Sequence, residues 1–373
     1  MSKYNNLDLI NPKQPVCIKV LGVGGGGGNA INSMIESKEF AEDMEFIVVN
    51  TDIQALDVSP AKYKVQIGKK ITRGLGSGSD PDTGRRSAEE DIESIKKALD
   101  GSDLVFLTAG LGGGTGTGAL PVITKAAKDL GILSVVVITK PFMFEGRRRA
   151  VFTQQALEGL SKNADTIIVV PNQKLLEIAD PKTTMVEAFQ MSNNVLKQAV
   201  RGISDIIQKT GLVNVDFADV RSIIKEMGLA IMGSGRAVGP ERARIAALEA
   251  INSPLLDNIS IQGARGILLN ITGSAAMGLH EINEAAQVVY KQVSEDANII
   301  IGSVIDETMG DDILVTVVAT GLDPELCKHV FALNDTRQSV SFDASRRDFG
   351  TSSTSARPQA MNDNGFGKSK NQI

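Results

Sequence analysis

Apolar positions along the chain change rhythm three times. Residues 17–23 (CIKVLGV), 46–49, 103–108, 132–139 and 166–170 are short, nearly unbroken apolar runs, the pattern of strands buried on both faces. Between them, stretches at 29–38, 85–99 and onward from 118 to 130 read as helices. Strands alternating with helices predict a parallel sheet covered on both sides. From 185 to about 209 the rhythm turns helical: Val186, Phe189, Val195, Leu196, Val200, Ile203 and Ile207 recur at helical spacing, and Gly211 follows as a stop. So long and apolar a helix is expected to be central, packed between layers. Beyond it, a helix at 217–225, strands at 267–271, 297–305 and 313–320, and a helix at 278–293 predict a smaller α+β unit. After Leu333 the chain is Ser, Thr, Asn, Asp and Arg with few apolar residues, too polar to offset the entropy of ordering.

The expected organisation is therefore a frayed start (1–14), a Rossmann-like parallel-sheet domain (15–184), a central helix (185–210), a C-terminal α+β domain (211–333) and a disordered tail (334–373). At 373 residues and 42% hydrophobic the chain can bury a sizeable core. A formal charge of −5 gives no bulk attraction to nucleic acid. The one dense basic run is Arg147-Arg148-Arg149. Cys17 and Cys327 are far apart, and His280 and His329 stand in no motif, which argues against a zinc or redox site. No signal peptide opens the chain and no apolar run reaches membrane-spanning length, so a soluble protein of a reducing cytoplasm is expected, with no membrane insertion.

Glycine is where composition changes the picture. The 37 glycines are clustered. Gly24 to Gly28 follow the first strand and precede a helix, and Gly22-x-Gly24-x-x-Gly27 satisfies the dinucleotide fingerprint. Five successive glycines satisfy many patterns by accident, but backbone N–H groups at a helix start make an anion cradle. A second cluster, GGGTGTG at 112–118, also lies between a strand and a helix. Two such loops on one sheet suggest a triphosphate held from both sides, with Thr115 and Thr117 offering hydroxyls to phosphate or Mg²⁺. A GxxxxGK[ST] loop is absent, since Gly367-Lys368-Ser369 lacks its leading glycine.

GGGTGTG, GVGGGGGNA at 22–30, VNTD at 49–52, TKPFMFEGRRR at 139–149 and GLVNVDFADV at 211–220 resemble, in order and spacing, the bacterial FtsZ family of tubulin-like GTPases, over about residues 15 to 330. The resemblance implies a cytoplasmic, self-assembling GTPase that forms head-to-tail filaments at the division site, binds GTP with Mg²⁺, and engages division-machinery and membrane-anchor proteins. It assigns the phosphates to Gly25, Gly26, Gly27, Gly28 and Asn29 and to Gly114, Thr115 and Gly116. Glu145 and Arg149 come near the ribose and phosphates. Phe189 stacks on guanine and Asn193 bonds its edge, although a plain core role for Phe189 is the alternative. The ending GFGKSKNQI departs from the apolar and basic peptide with which such tails dock anchors, which puts in doubt only those partners that read that peptide.

Hydrolysis needs a positioned water more than a nucleophilic side chain. Asn214, Asp216 and Asp219 supply an amide and two carboxylates; Asp216 could equally be an N-cap. A central helix of ~20 residues separates its ends by ~30 Å. Asp216 therefore cannot reach a nucleotide held at the helix start in its own chain: it is noncatalytic, or it serves a second subunit. The resemblance resolves that choice in favour of the neighbour. Two other readings compete. A nicotinamide oxidoreductase leaves the second glycine loop unexplained and lacks an acid for hydride chemistry. A filament-forming paralogue without turnover is opposed by the intact Asn214, Asp216 and Asp219.

Overall fold

The computed structural model describes residues 16–209, 215–256 and 261–322. The expected frayed start and polar tail lie outside the described residues. In chain order the elements are β1 (Ile18–Val23), α1 (Gly24–Ser37), β2 (Glu45–Asn50), α2 (Ile53–Asp57), β3 (Tyr63–Gln66), α3 (Lys69–Thr72), α4 (Pro81–Glu90), α5 (Ile92–Leu99), β4 (Leu104–Gly110), α6 (Thr115–Asp129), β5 (Leu133–Lys140), α7 (Arg147–Leu160), β6 (Thr166–Pro171), α8 (Asn172–Ile178), α9 (Met185–Gln208), α10 (Phe217–Ile224), β7 (Gly228–Ala237), α11 (Arg242–Ile251), β8 (Gly266–Gly273), α12 (Leu279–Tyr290), β9 (Asn298–Ile305) and β10 (Ile313–Thr320).

All ten strands join one sheet in the order β3-β2-β1-β4-β5-β6-β7-β10-β8-β9. The first seven run parallel, so their carboxyl ends and the loops that leave them share one edge. β7 is the joint. Gly228 to Ala230 pair with β6, and Ile231 to Ala237 pair antiparallel with β10. One face carries α4 to α7, α11 and α12 over a core that includes Leu107, Val136, Ala247 and Val315. The other face carries α1, α9 and α10 over Val20, Phe106, Val200 and Val318. α9 lies across strands of both stretches, burying Val195, Leu196, Val200 and Ile203.

Three local outcomes differ from the pattern reading. The first helix begins on the glycines themselves rather than at Asn29. Glycine is a poor helix former, but a turn without side chains lets α1 approach its neighbours. The helix expected at 85–99 breaks at Asp91, whose carboxylate instead accepts the Gly68 N–H at 2.7 Å. β7 was not anticipated, because its second half is glycine-broken. Cβ atoms on Gly233 and Gly235 would run into the carbonyls of Ala250 and Ala246, so those glycines are what allow the alanine-rich α11 to lie on the strand.

Candidate functional site: two glycine loops and a remote acidic turn

β1 and β4 are adjacent and in register, Gly22 opposite Thr108, so the turns that leave them emerge side by side. They touch through backbone. A Cβ on Gly24 would stand 2.7 Å from the amide of Gly116, and one on Gly26 would stand 3.0 Å from that of Gly110. Gly24 adopts a left-handed φ of 71°, which swings the chain from strand into helix in one residue. α1 and α6 thus begin next to one another. Each leaves its first amides without intrahelical partners, and each directs the positive end of its dipole the same way. Gly25, Gly26 and Asn29 are exposed, while Gly27 and Gly28 are buried. In the second loop Gly114, Thr115 and Gly116 are buried and Gly113 is partly exposed. A Cβ at Gly25 or Gly113 would meet no protein atom within 4 Å. Packing therefore does not demand glycine at these two positions, and the space beside both helix starts stays open for an anion.

The threonines of the second loop have partners already. Thr117 Oγ1 accepts the Gly112 N–H at 2.9 Å and so pins the loop from inside. Thr115 Oγ1 lies 2.7 Å from Thr51 Oγ1 at the end of β2 and 3.0 Å from Ser77 Oγ. This hydroxyl cluster ties α6 to the glycine-rich segment before α4. Asp80, the N-cap of α4, accepts the Asp82 and Thr83 amides; hydrogen bonds from Thr83 hold its carboxyl below the usual range. Thr51, Ser77, Asp80 and Gly113 were not singled out as site residues from the sequence. The signal available was Asn50-Thr51-Asp52 ending a strand and the glycine-rich stretch at 74–84.

The segment after β5 closes one side. Glu145 Oε1 accepts the Phe142 N–H at 2.9 Å, and its other oxygen pairs with Arg149. Arg149 is brought over the second loop, since a Cβ on Gly112 would stand 2.8 Å from Arg149 Cβ. Phe142 is buried, stacks on the exposed Phe144 with ring centroids 5.0 Å apart, and meets Phe189 edge-on at 5.5 Å. The first turns of α9 therefore stand at the same edge as the loops. Phe189 is exposed and Asn193 partly so, one turn apart on that helix. Thr184 caps α9, with Glu187 completing a capping box.

Asp216 and Asp219 are elsewhere. α9 runs from the carboxyl edge to the opposite edge, where Gln208 bonds Asp43 just before β2 at 3.2 Å. α10 sits at that second edge: Thr166, the first residue of β6, donates its hydroxyl to the Ile224 carbonyl at 2.6 Å. Asp216 is the N-cap of α10, accepting the Asp219 N–H at 2.9 Å, and both carboxylates are exposed. Asn214 lies outside the described residues. A helix of 24 residues separates the two places, ~35 Å at 1.5 Å per residue. Among the described residues no cluster of three or more His, Cys, Asp or Glu could hold a metal, and no helix is long and apolar enough to cross a membrane.

Comparison with known proteins bears on both regions. Residues 17–180 match the model of the tubulin/FtsZ family GTPase domain, and residues 228–323 that of the FtsZ family C-terminal domain. Over 328 residues the chain is 48% identical to the cell division protein FtsZ of Pseudomonas aeruginosa PAO1, covering 88% of this chain and 83% of that one. A solved FtsZ dimer of M. jannaschii, described as empty, superposes with TM-score 0.79 at 42% identity, covering 83% of this chain and 89% of that one. CetZ2 of Haloferax volcanii, solved as a GTPγS-bound protofilament, shares the fold at TM-score 0.70 and 22% identity, covering 84% of this chain and 96% of that one. These likenesses give the oxidoreductase alternative no support.

Proposed function

The chain belongs to the tubulin/FtsZ family of GTPases, and from that membership we propose that it assembles head to tail into division filaments and hydrolyses GTP between subunits. The observation that carries the proposal is the separation of the open cradle from the exposed acids of α10 by the length of α9. One subunit cannot bring the two together; two subunits stacked edge to edge can.

In this reading the amides of Gly25, Gly26, Gly27, Gly28 and Asn29 and of Gly114, Thr115 and Gly116 hold the phosphates, and Gly113 lines the same space. Glu145 and Arg149 flank the ribose and phosphates. Phe189 packs on guanine and Asn193 reads its edge. Asp216 and Asp219, with Asn214, orient the attacking water on the neighbour's nucleotide. The domain limits 15–184, 185–210 and 211–333 describe the division of labour: cradle, spacer and acid-bearing unit. Mg²⁺ enters with the nucleotide, balancing phosphate charge. The proposed setting is the cytoplasmic mid-cell ring, with division and membrane-anchor proteins as further partners.

Light scattering and phosphate release, followed together after GTP addition, test the proposal. Scattering should rise with GTP, decay as phosphate accumulates, and fail to rise with ATP. Comparable responses to both nucleotides would refute the guanine assignment, and turnover without assembly would refute the shared site. Undiminished release in excess EDTA would remove Mg²⁺ from the scheme.

A further inference from the structure

Between the cradle and the acidic turn, Arg201 in the middle of α9 reaches three elements at once. Its Nη1 lies 2.7 Å from Glu39 Oε2, its Nε lies 3.0 Å from Asp205 Oδ2, and its Nη2 pairs with Asp306. Glu39 stands in the turn after α1, the helix that begins in the first glycine loop; Asp306 follows β9 in the second half of the molecule. Lys197 adds a 2.8 Å bond to Glu39, and Lys209 a 2.9 Å bond to Asp205. Three cations meet three carboxylates, with Arg201 itself mostly buried. Burial raises the Asp205 carboxyl pKa above its ordinary value despite both cations. The pairs favour the charged forms of Glu39 and Asp306, while burial works against that of Asp205. Because a buried ion pair is seldom better than a hydrophobic replacement, the distinctive feature of the cluster is its directional geometry.

The surroundings say what it does. Beside Arg201 a cavity of about 530 Å³ opens between α9 and the strands of the second half. Its walls are polar, and contact across it rests on discrete bonds such as Asn270 Nδ2 to Gly202 O at 3.2 Å and Ser234 Oγ to Gln198 Oε1 at 3.0 Å. Among the described residues the buried Asn270 Oδ1 has no hydrogen-bond partner. Close packing holds α9 against the second half at Gly202, which lies on Thr316 of β10, and on the cavity side the charge pairs of Arg201 add fixed direction to that contact. Asp205 in the last turn of α9 and Lys209, its C-cap, stand where the chain leaves the helix towards Asp216.

We propose that Arg201 is a positioning residue for hydrolysis, one that sets where a subunit presents Asp216 and Asp219 to its neighbour by tying α9 to Glu39 on one side and Asp306 on the other. The inference rests on the shared-site reading. A displacement of about 1 Å in a water-positioning group can lower a rate by about a hundredfold.

The test is Arg201→Gln, measured as phosphate release per sedimented subunit beside GTP affinity. Release should fall about tenfold or more while affinity stays within about twofold of wild type. Arg201→Lys, which keeps charge but not the three-way fork, should fall between, and serves if the glutamine variant does not fold. Mixing locates the defect. Arg201→Gln mixed with Asp216→Asn should gain nothing, because no subunit presents well-placed acids. Mixed with Gly25→Leu, which keeps its acids but blocks its own cradle, it should regain release. Unchanged release per sedimented subunit, or rescue by Asp216→Asn, would overturn the proposal. Failure of the wild-type chain to assemble with GTP would instead overturn the shared-site reading beneath it.

Discussion

A glycine can be required by the protein or by what the protein holds, and the two kinds behave differently under substitution. Gly118 is of the first kind: a Cβ there would run into the Pro81 carbonyl, where α6 crosses α4. The obstacle is backbone and cannot rotate away, so Gly118→Ala should push the helices apart at a cost of about 1–3 kcal/mol, read as a lowered melting temperature with or without nucleotide. Gly25 is of the second kind, with nothing within 4 Å of its Cβ position. Gly25→Ala should leave the melting temperature unchanged or slightly raised, since alanine is the better helix former by about 1 kcal/mol, yet weaken GTP binding in equilibrium dialysis. Equal GTP affinity would remove Gly25 from the cradle. The sequence displayed both glycine clusters without distinguishing these roles, because the distinction depends on which backbone lies opposite. The same holds for Gly114. Its glycine requirement could be attributed to a phosphate, but its Cβ would meet Ser77 and Asp80 instead, so Gly114→Ser would disturb the segment before α4 first. Thr115 and Thr117 were visible as hydroxyls; that both are engaged, by Thr51 and Ser77 and by Gly112, could not be read from spacing.

Elements were legible where one rhythm ran unopposed. The helical period from Val186 onward placed α9, and the apolar runs placed β1, β2, β4, β5 and β6. Strand β7 escaped because its glycines interrupt the apolar run, and the break at Asp91 escaped because its cause, Gly68, is distant in sequence. Along α9, Gly202 lies tightly against β10: a Cβ would stand 2.9 Å from Thr316 Cγ2. Gly202→Val should therefore lift the helix and destabilise the fold by about 1–3 kcal/mol in urea unfolding; an unaltered midpoint would show that α9 can shift at no cost. The ion cluster on the same helix carries a pH signature. Burial would raise the Asp306 carboxyl, but hydrogen bonds from Thr308 and the Arg201 charge outweigh it and leave it below the ordinary value. Glu39 is lowered in the same way by Lys197 and Arg201. Groups depressed in the folded state stabilise it above their unfolded pKa, about 4, and that contribution is lost as pH falls through the folded value. Asp205, raised by burial, has the opposite sign and is most favourable when protonated. Asp306→Asn should accordingly flatten the loss of stability between neutral and acidic pH. An acid limb as steep as wild type would place the proton uptake elsewhere.

At the scale of the whole molecule, the quantity most open to sequence reasoning was a length. A helix of 24 residues puts its ends ~35 Å apart, and the fold sets the glycine loops at one end and Asp216 at the other. What the sequence could not give was that a continuous sheet of ten strands, joined through β7, makes that distance a property of one body. It follows that defects in cradle and acid lie on opposite faces and can be sorted by mixing. Asp216→Asn is the informative acid variant, because asparagine caps a helix as well as aspartate does and so preserves the bond to the Asp219 amide while removing the charge. It should bind GTP like wild type and release little phosphate. Gly25→Leu should fill its own cradle and bind little GTP, yet keep Asp216 and Asp219 intact. When the two co-assemble, each contact in which the Asp216→Asn subunit contributes GTP and the Gly25→Leu subunit contributes acids is a complete site. Phosphate release from the mixture should exceed the sum of the separate variants and should scale with the fraction of mixed contacts, peaking near equal proportions. A chain that hydrolysed its own GTP could show no such gain, because neither variant owns both halves. Co-sedimentation of folded variants without any rise in release would therefore rule out hydrolysis at the contact between subunits.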